Sequence, residues 1–150
     1  MKVIIEKISK EKEEQVTILC HGVSKEVAEI EHFVKTRQEG IEAYDEDNIE
    51  MIPLSDICYV EAVDDRVFAY LEHKVYEVKL RLYEFEQVHG DKQFFRCSKA
   101  VIVNLMKIQA IKSALNGRFA AILTNGETVI ISRKFVPELK ERLHGGQYDE

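Results

Sequence analysis

Phe94-Phe95-Arg96-Cys97-Ser98-Lys99-Ala100-Val101-Ile102-Val103-Asn104-Leu105-Met106-Lys107-Ile108 sets four polar residues, Arg96, Ser98, Lys99 and Asn104, among a tight apolar series. A strand-and-short-helix reading buries Phe94, Val101, Val103, Leu105 and Ile108 and leaves the polar groups outside. Arg and Lys neutralise phosphate, and an Asn amide offers a base edge both a donor and an acceptor. The stretch reads as a nucleic-acid contact surface on a rigid apolar base.

Downstream of it lie the clearest turn signals. Asn116-Gly117 and Asn125-Gly126 both read as type I′ hairpin turns flanking a strand over Arg118–Thr124. With Gln109–Ala114 and Thr128–Ser132 they specify a three-stranded meander, and a helix over Val136–Leu143 follows. Upstream, short β-type runs occupy Ile41–Tyr44, Glu50–Pro53, Cys58–Glu61, Val67–Leu71 and Val75–Val78. A short helix carrying Leu82, Phe85 and Val88 follows and closes at Gly90. At the start of the chain, Val3–Ile5 and Val16–Cys20 read as two β runs joined as a hairpin across Ser9–Gln15. Ser24 caps a helix over Lys25–Arg37 that ends by Gly40. The fold class is mainly β with short helices, α+β overall. The organisation is a β-β-α extension at 1–40, one β-rich domain at 41–145 and a polar tail at 146–150. At least eight short strands leave no room for a helix-turn-helix architecture.

A net charge of −6 is at odds with a polyanionic partner until the chain is divided. Residues 1–90 carry 11 Lys and Arg against 21 Asp and Glu, a balance of −10, whereas residues 91–142 carry 10 against 4, a balance of +6. An acidic body with one basic segment orients on a polyanion with its acidic part facing away. The plain alternative is an ordinary solvated surface.

Other classes find less support. Cys20, Cys58 and Cys97 are odd in number and lack a Cys-x-x-Cys pair, which indicates neither a disulfide framework nor a zinc site. Cys20 and Cys58 read as packed small hydrophobes. Cys97, between Arg96 and Lys99, is the one thiol that nearby positive charge could favour as thiolate, although inert packing is the better reading. His21, His32, His73, His89 and His144 are scattered, no nucleophile elbow or glycine-rich phosphate loop occurs, and Asp64 and Asp65 point to opposite faces if they lie in a strand. No enzyme, metal site or cofactor is expected. No apolar run approaches the roughly 20 residues that cross a bilayer, and the first residues lack a signal-peptide core, so no membrane insertion and a cytoplasmic location are expected.

The residues Ser55-Asp56-Ile57-Cys58-Tyr59-Val60-Glu61-Ala62, then Phe95–Lys99 with Val101–Leu105 and Ile108, then Asn125-Gly126 and Ile131-Ser132-Arg133-Lys134-Phe135, closely resemble the LytTR DNA-binding domain of bacterial transcriptional regulators. The resemblance covers about residues 42–143. It implies a fold of roughly ten strands in which loops, not a recognition helix, reach successive grooves of a direct-repeat promoter site. Carried over by position, it implies contacts in three places: the loop at 63–66 with Asp65 and Arg66, the segment with Arg96, Ser98 and Lys99, and the stretch Ser132, Arg133 and Lys134. Asn104 matches the family's characteristic Asn, as a DNA contact or as a support beneath the contact loop. The family often has His where Ser98 stands and Ser where Ala100 stands, which bears on the target sequence. Many relatives carry a receiver domain, and residues 1–40 are too few to form one.

The expected partners are therefore double-stranded DNA, a second copy of the chain, and a regulatory protein. The small extension at 1–40 cannot be stable alone and is expected to pack on its own domain or join two copies. The rival function is a non-enzymatic β-rich module that binds protein or a small ligand. Single-stranded RNA binding is weaker, because Phe94 and Phe95 sit where at least one must be core.

Overall fold

Alternating apolar positions along the central chain build an antiparallel sheet, here in a computed structural model that describes residues 1–90 and 93–144. Its seven strands are β1 (Gly40–Asp45), β2 (Asn48–Pro53), β3 (Tyr59–Val63), β4 (Arg66–Tyr70), β5 (Val75–Val78), β6 (Phe94–Arg96) and β7 (Val101–Asn104), in the order β2-β1-β5-β4-β3-β7-β6. The expected meander forms a second sheet, β8 (Ile108–Ser113), β9 (Phe119–Leu123) and β10 (Thr128–Ile131), with β9 central. Three α-helices accompany them: α1 (Lys25–Gln38), α2 (Leu82–His89) and α3 (Val136–His144).

Two apolar cores result. One face of the large sheet, with Val60, Ala69, Phe94 and Ile102, packs against Leu82 and Phe85 of α2 and the turn residues Leu54 and Ile57. Phe85 meets Phe94 edge to face at 5.1 Å, the geometry favoured by aromatic quadrupoles. The other face, with Tyr59, Phe95, Cys97 and Val103, packs against Ala121, Leu123, Val129 and Ile131 of the small sheet and Leu139 of α3. Neighbouring residues of β6 and β7 thus enter different cores, and Phe94, Phe95, Ile102 and Val103 are all buried. Each such side chain contributes about 1.5–3 kcal/mol by burial. Of the five residues expected to be buried here, Phe94 and Val103 are, while Val101, Leu105 and Ile108 lie at the margin. Ile102, not among them, is buried because β7 is covered on both faces.

Local signals act through varied physics. Ser24 Oγ accepts from Val27 N–H at 3.2 Å, so the helix cap forms where expected. Gly90 closes α2 with φ −86°, not a left-handed value; glycine is required because a Cβ would lie 2.3 Å from the Glu86 carbonyl oxygen. At Asn116-Gly117 both φ values are positive, 61° and 75°, as a type I′ turn demands. At Asn125-Gly126 only Gly126 is positive, 89°, so the type I′ reading is wrong there. The Asn125 side chain instead accepts from Glu127 N–H at 3.0 Å, and Leu123 N–H bonds the Glu127 carbonyl, giving a longer loop.

The first 40 residues depart most from expectation. The helix is present, tied to the body by an Arg37–Asp56 ion pair at 2.8 Å and by Leu54 N–H to the Glu39 carbonyl at 3.2 Å. The β-β hairpin is not: residues 1–23 contain no strand, only a turn closed by Lys12 N–H to the Ser9 carbonyl. Cys20 is exposed, not packed. Apart from Ile18, which is half-buried, its large apolar side chains are exposed among the described residues, so its β propensity finds no sheet to join. The polar tail expected at 146–150 lies outside the described residues.

Candidate nucleic-acid interface

The three segments singled out above converge through backbone hydrogen bonds. Ala62 N–H, at the end of β3, donates to the Ala100 carbonyl at 2.9 Å, which sets the β3–β4 turn beside the loop between β6 and β7. Ser132 N–H donates to the Cys97 carbonyl at 2.8 Å, which docks the start of the 132–134 turn on the same loop. A Cβ on Gly117 would lie 2.9 Å from Arg133 Cδ, so the β8–β9 turn packs against the Arg133 side chain. These turns make one continuous edge, with Lys99, Arg133 and Lys134 exposed on it.

The two candidate arginines differ in what remains free. Arg66 gives Nε and Nη2 to the Glu77 carboxylate at 3.2 and 2.7 Å, and its guanidinium lies 5.1 Å over the Phe68 ring. Hydrogen bonding from Arg66 holds the Glu77 carboxyl well below the usual carboxylate range, at about 2. Two of five N–H groups are thereby used, and the Nη1 edge remains available. Arg96 uses all three nitrogens: Nε on the Ser98 carbonyl at 2.8 Å, Nη2 on the Lys99 carbonyl, and Nη1 on Glu86 at 2.9 Å. It folds the loop around itself and presents little to a partner.

Ser98 is half-buried, and its Oγ accepts from Ala100 N–H at 3.3 Å, so its hydroxyl proton remains free to be donated. Asp65 is exposed beside Asp64, whose φ of 57° turns the chain at the tip of the β3–β4 hairpin. Asn104 is wholly buried: Nδ2 donates to the Ile57 carbonyl at 2.8 Å and Oδ1 accepts from Met106 N–H at 3.0 Å. A side chain spent in this way cannot touch DNA, and the contact reading of Asn104 is corrected to the supporting one. Cys97 is likewise buried, and burial pushes its thiol up to about 12, overriding the Arg96 charge that the sequence reading weighed. It packs as a buried core thiol.

The sequence reading did not single out the β8–β9 turn as part of this edge. Leu115 is exposed at its tip, and Arg118 Nε donates to the Leu115 carbonyl at 3.1 Å. The only sequence signal was Gly117, whose lack of a side chain admits Arg133. A cavity of about 290 Å³ lies elsewhere, lined by His32, Lys35, Val88, Gln93 and Phe94 among others, and shares no residue with these segments. Among the described residues, no three His, Cys, Asp or Glu side chains are grouped to hold a metal ion, and no helix is long and apolar enough to cross a membrane.

Residues 47–144 match the sequence model of the LytTr DNA-binding domain. Sensory transduction protein LytT of Enterococcus faecalis is 30% identical over 135 residues, covering 87% of this chain and 56% of that protein. An uncharacterized HTH-type transcriptional regulator of Staphylococcus aureus is 32% identical over 100 residues, 67% of each chain, and transcriptional regulatory protein YpdB of Escherichia coli K12 is 30% identical over 100 residues, 41% of its length. The chain therefore spans between about two fifths and two thirds of these relatives. Among solved structures, the LytTr DNA-binding domain of a methyl-accepting/DNA response regulator from Bacillus cereus superposes with a TM-score of 0.67 at 28% identity, covering 70% of this chain and 96% of that one.

Proposed function

The chain belongs to the LytTr DNA-binding domain family, and from that premise we propose that it is a cytoplasmic, non-enzymatic transcriptional regulator that reads repeated promoter sites in double-stranded DNA through its loops. The observation that carries this is an edge of three turns joined by the backbone hydrogen bonds Ala62–Ala100 and Ser132–Cys97, with the Gly117 turn packed against the Arg133 side chain. It holds exposed cations on backbone that cannot drift independently. Lys99, Arg133 and Lys134 supply phosphate contacts, which give affinity without sequence information.

Base reading falls to Arg66, buttressed on its Nε side by Glu77, and to Ser98, with Asp65 and Ser132 as further polar groups at the edge. A guanidinium bidentate on guanine discriminates by about 1–3 kcal/mol, whereas a serine hydroxyl, which can donate or accept, is less selective. Arg96 serves the loop as a clamp and Asn104 the backbone beneath it. Selection from a randomised duplex library tests the assignment with wild type, Arg66→Ala and Ser98→His. Each variant is expected to change the preferred base at one position of each repeat. Identical motifs of equal information content from all three proteins would remove both residues as readers.

A further inference from the structure

We propose that residues 1–20 are an exchange arm that pairs with the same residues of a second copy of this chain. Val3, Ile4, Ile5, Val16 and Leu19 are all exposed, Ile5 by 89% and Leu19 by 93%, in a segment whose described backbone forms no ladder with its own body. Contiguous exposed aliphatic residues of high β propensity mark an association surface.

The turn at Ser9–Lys12 sets the register the two limbs of the arm require. Counting outward from it pairs Lys7 with Glu14, Ile5 with Val16 and Val3 with Ile18, and alternation brings all six side chains to one face. Charge follows the same division. Lys2, Lys7 and Lys10 against Glu6 give the first limb +2, and Glu11, Glu13 and Glu14 against Lys12 give the second −2. Within one chain this pairing is not made, and a lone two-stranded ribbon is marginal in water. Exchanged between two copies, every pair recurs about a two-fold axis: each positive limb meets a negative one, and the two aliphatic faces can cover each other. A segment of this length also approaches the roughly 20–30 residues a side of a standard interface. No second gene product is needed, because the arm is complementary to itself.

The proposal stands apart from DNA binding, and its test reads mass in the absence of DNA. Sedimentation of the full chain at micromolar concentration is expected to give twice the mass of one chain. Two full-length variants then probe the register, one with Lys2→Glu and Lys7→Glu, the other with Glu13→Lys and Glu14→Lys. Each sets like charges opposite at the 7/14 pair, gives both limbs the same sign of net charge in its own dimer, and is expected to raise the dissociation constant about tenfold or more. Mixed in equal amounts, the two should restore wild-type association, because every limb then meets its opposite. A monomeric wild type, variants that dimerise as wild type does, or a mixture that stays monomeric would each overturn the proposal.

Discussion

Asn104 and Arg96 occupy positions that sequence pattern assigns to DNA, yet their polar atoms are directed into the protein. The Asn104 amide joins the Ile57 carbonyl to the Met106 N–H inside a strand that is buried on both sides. Removing it leaves the buried Ile57 carbonyl without this donor, at about 1–3 kcal/mol, whereas the Met106 N–H lies at the margin of the core. Asn104→Ala is therefore expected to lose about 1–3 kcal/mol of stability by urea unfolding, while the fraction that remains folded selects the wild-type DNA motif. A changed motif at unchanged stability would return Asn104 to the contact surface. Arg66 shows the opposite case, a guanidinium whose bonds to Glu77 fix its direction without exhausting its donors.

At the scale of the element, the loop between β6 and β7 owes its shape to Arg96, which bonds the Ser98 and Lys99 carbonyls and reaches Glu86 of α2. Arg96→Ala should cost about 1–3 kcal/mol of stability and weaken binding to specific and random duplexes alike, because Ser98 and Lys99 lose their placement together. Arg96→Lys should fare little better, since one ammonium cannot span three acceptors. Melting curves and binding isotherms on both variants check this; a loss confined to the specific duplex would mean that Arg96 itself reads a base. The strands and helices of residues 24–144 were largely legible in the sequence, because alternation and turn residues are local. What was not legible was long-range. Whether Val3–Ile5 and Val16–Cys20 form strands depends on a partner for their edges, and whether Asn104 faces water depends on a second core lying over β7. The type I′ reading of Asn125-Gly126 failed for a related reason: the dipeptide permits that turn, but the Asn125 side chain bonds Glu127 N–H and selects another. The three candidate segments were each singled out from motif, but their union was not legible, since Ala62–Ala100 and Cys97–Ser132 link residues far apart in the chain.

For the whole molecule, the division into an acidic body of −10 over residues 1–90 and a basic part of +6 over residues 91–142 decides how binding responds to salt. Phosphate contacts release counterions, so Lys99→Ala and Arg133→Ala should weaken binding to every duplex and each lower the slope of log K against log salt by about one unit. Wild-type affinity and slope for both variants would show that the proposed edge does not lie on the phosphates. The strand β7, enclosed by both cores, has a consequence for how such a domain can change over generations. Its residues answer to two layers at once, so a change of volume there is felt by both cores, whereas Asp65 and Lys99 are exposed at loop tips and belong to neither core. A lineage can thus alter the surface its loops present through a handful of substitutions while the scaffold that carries them stays the same.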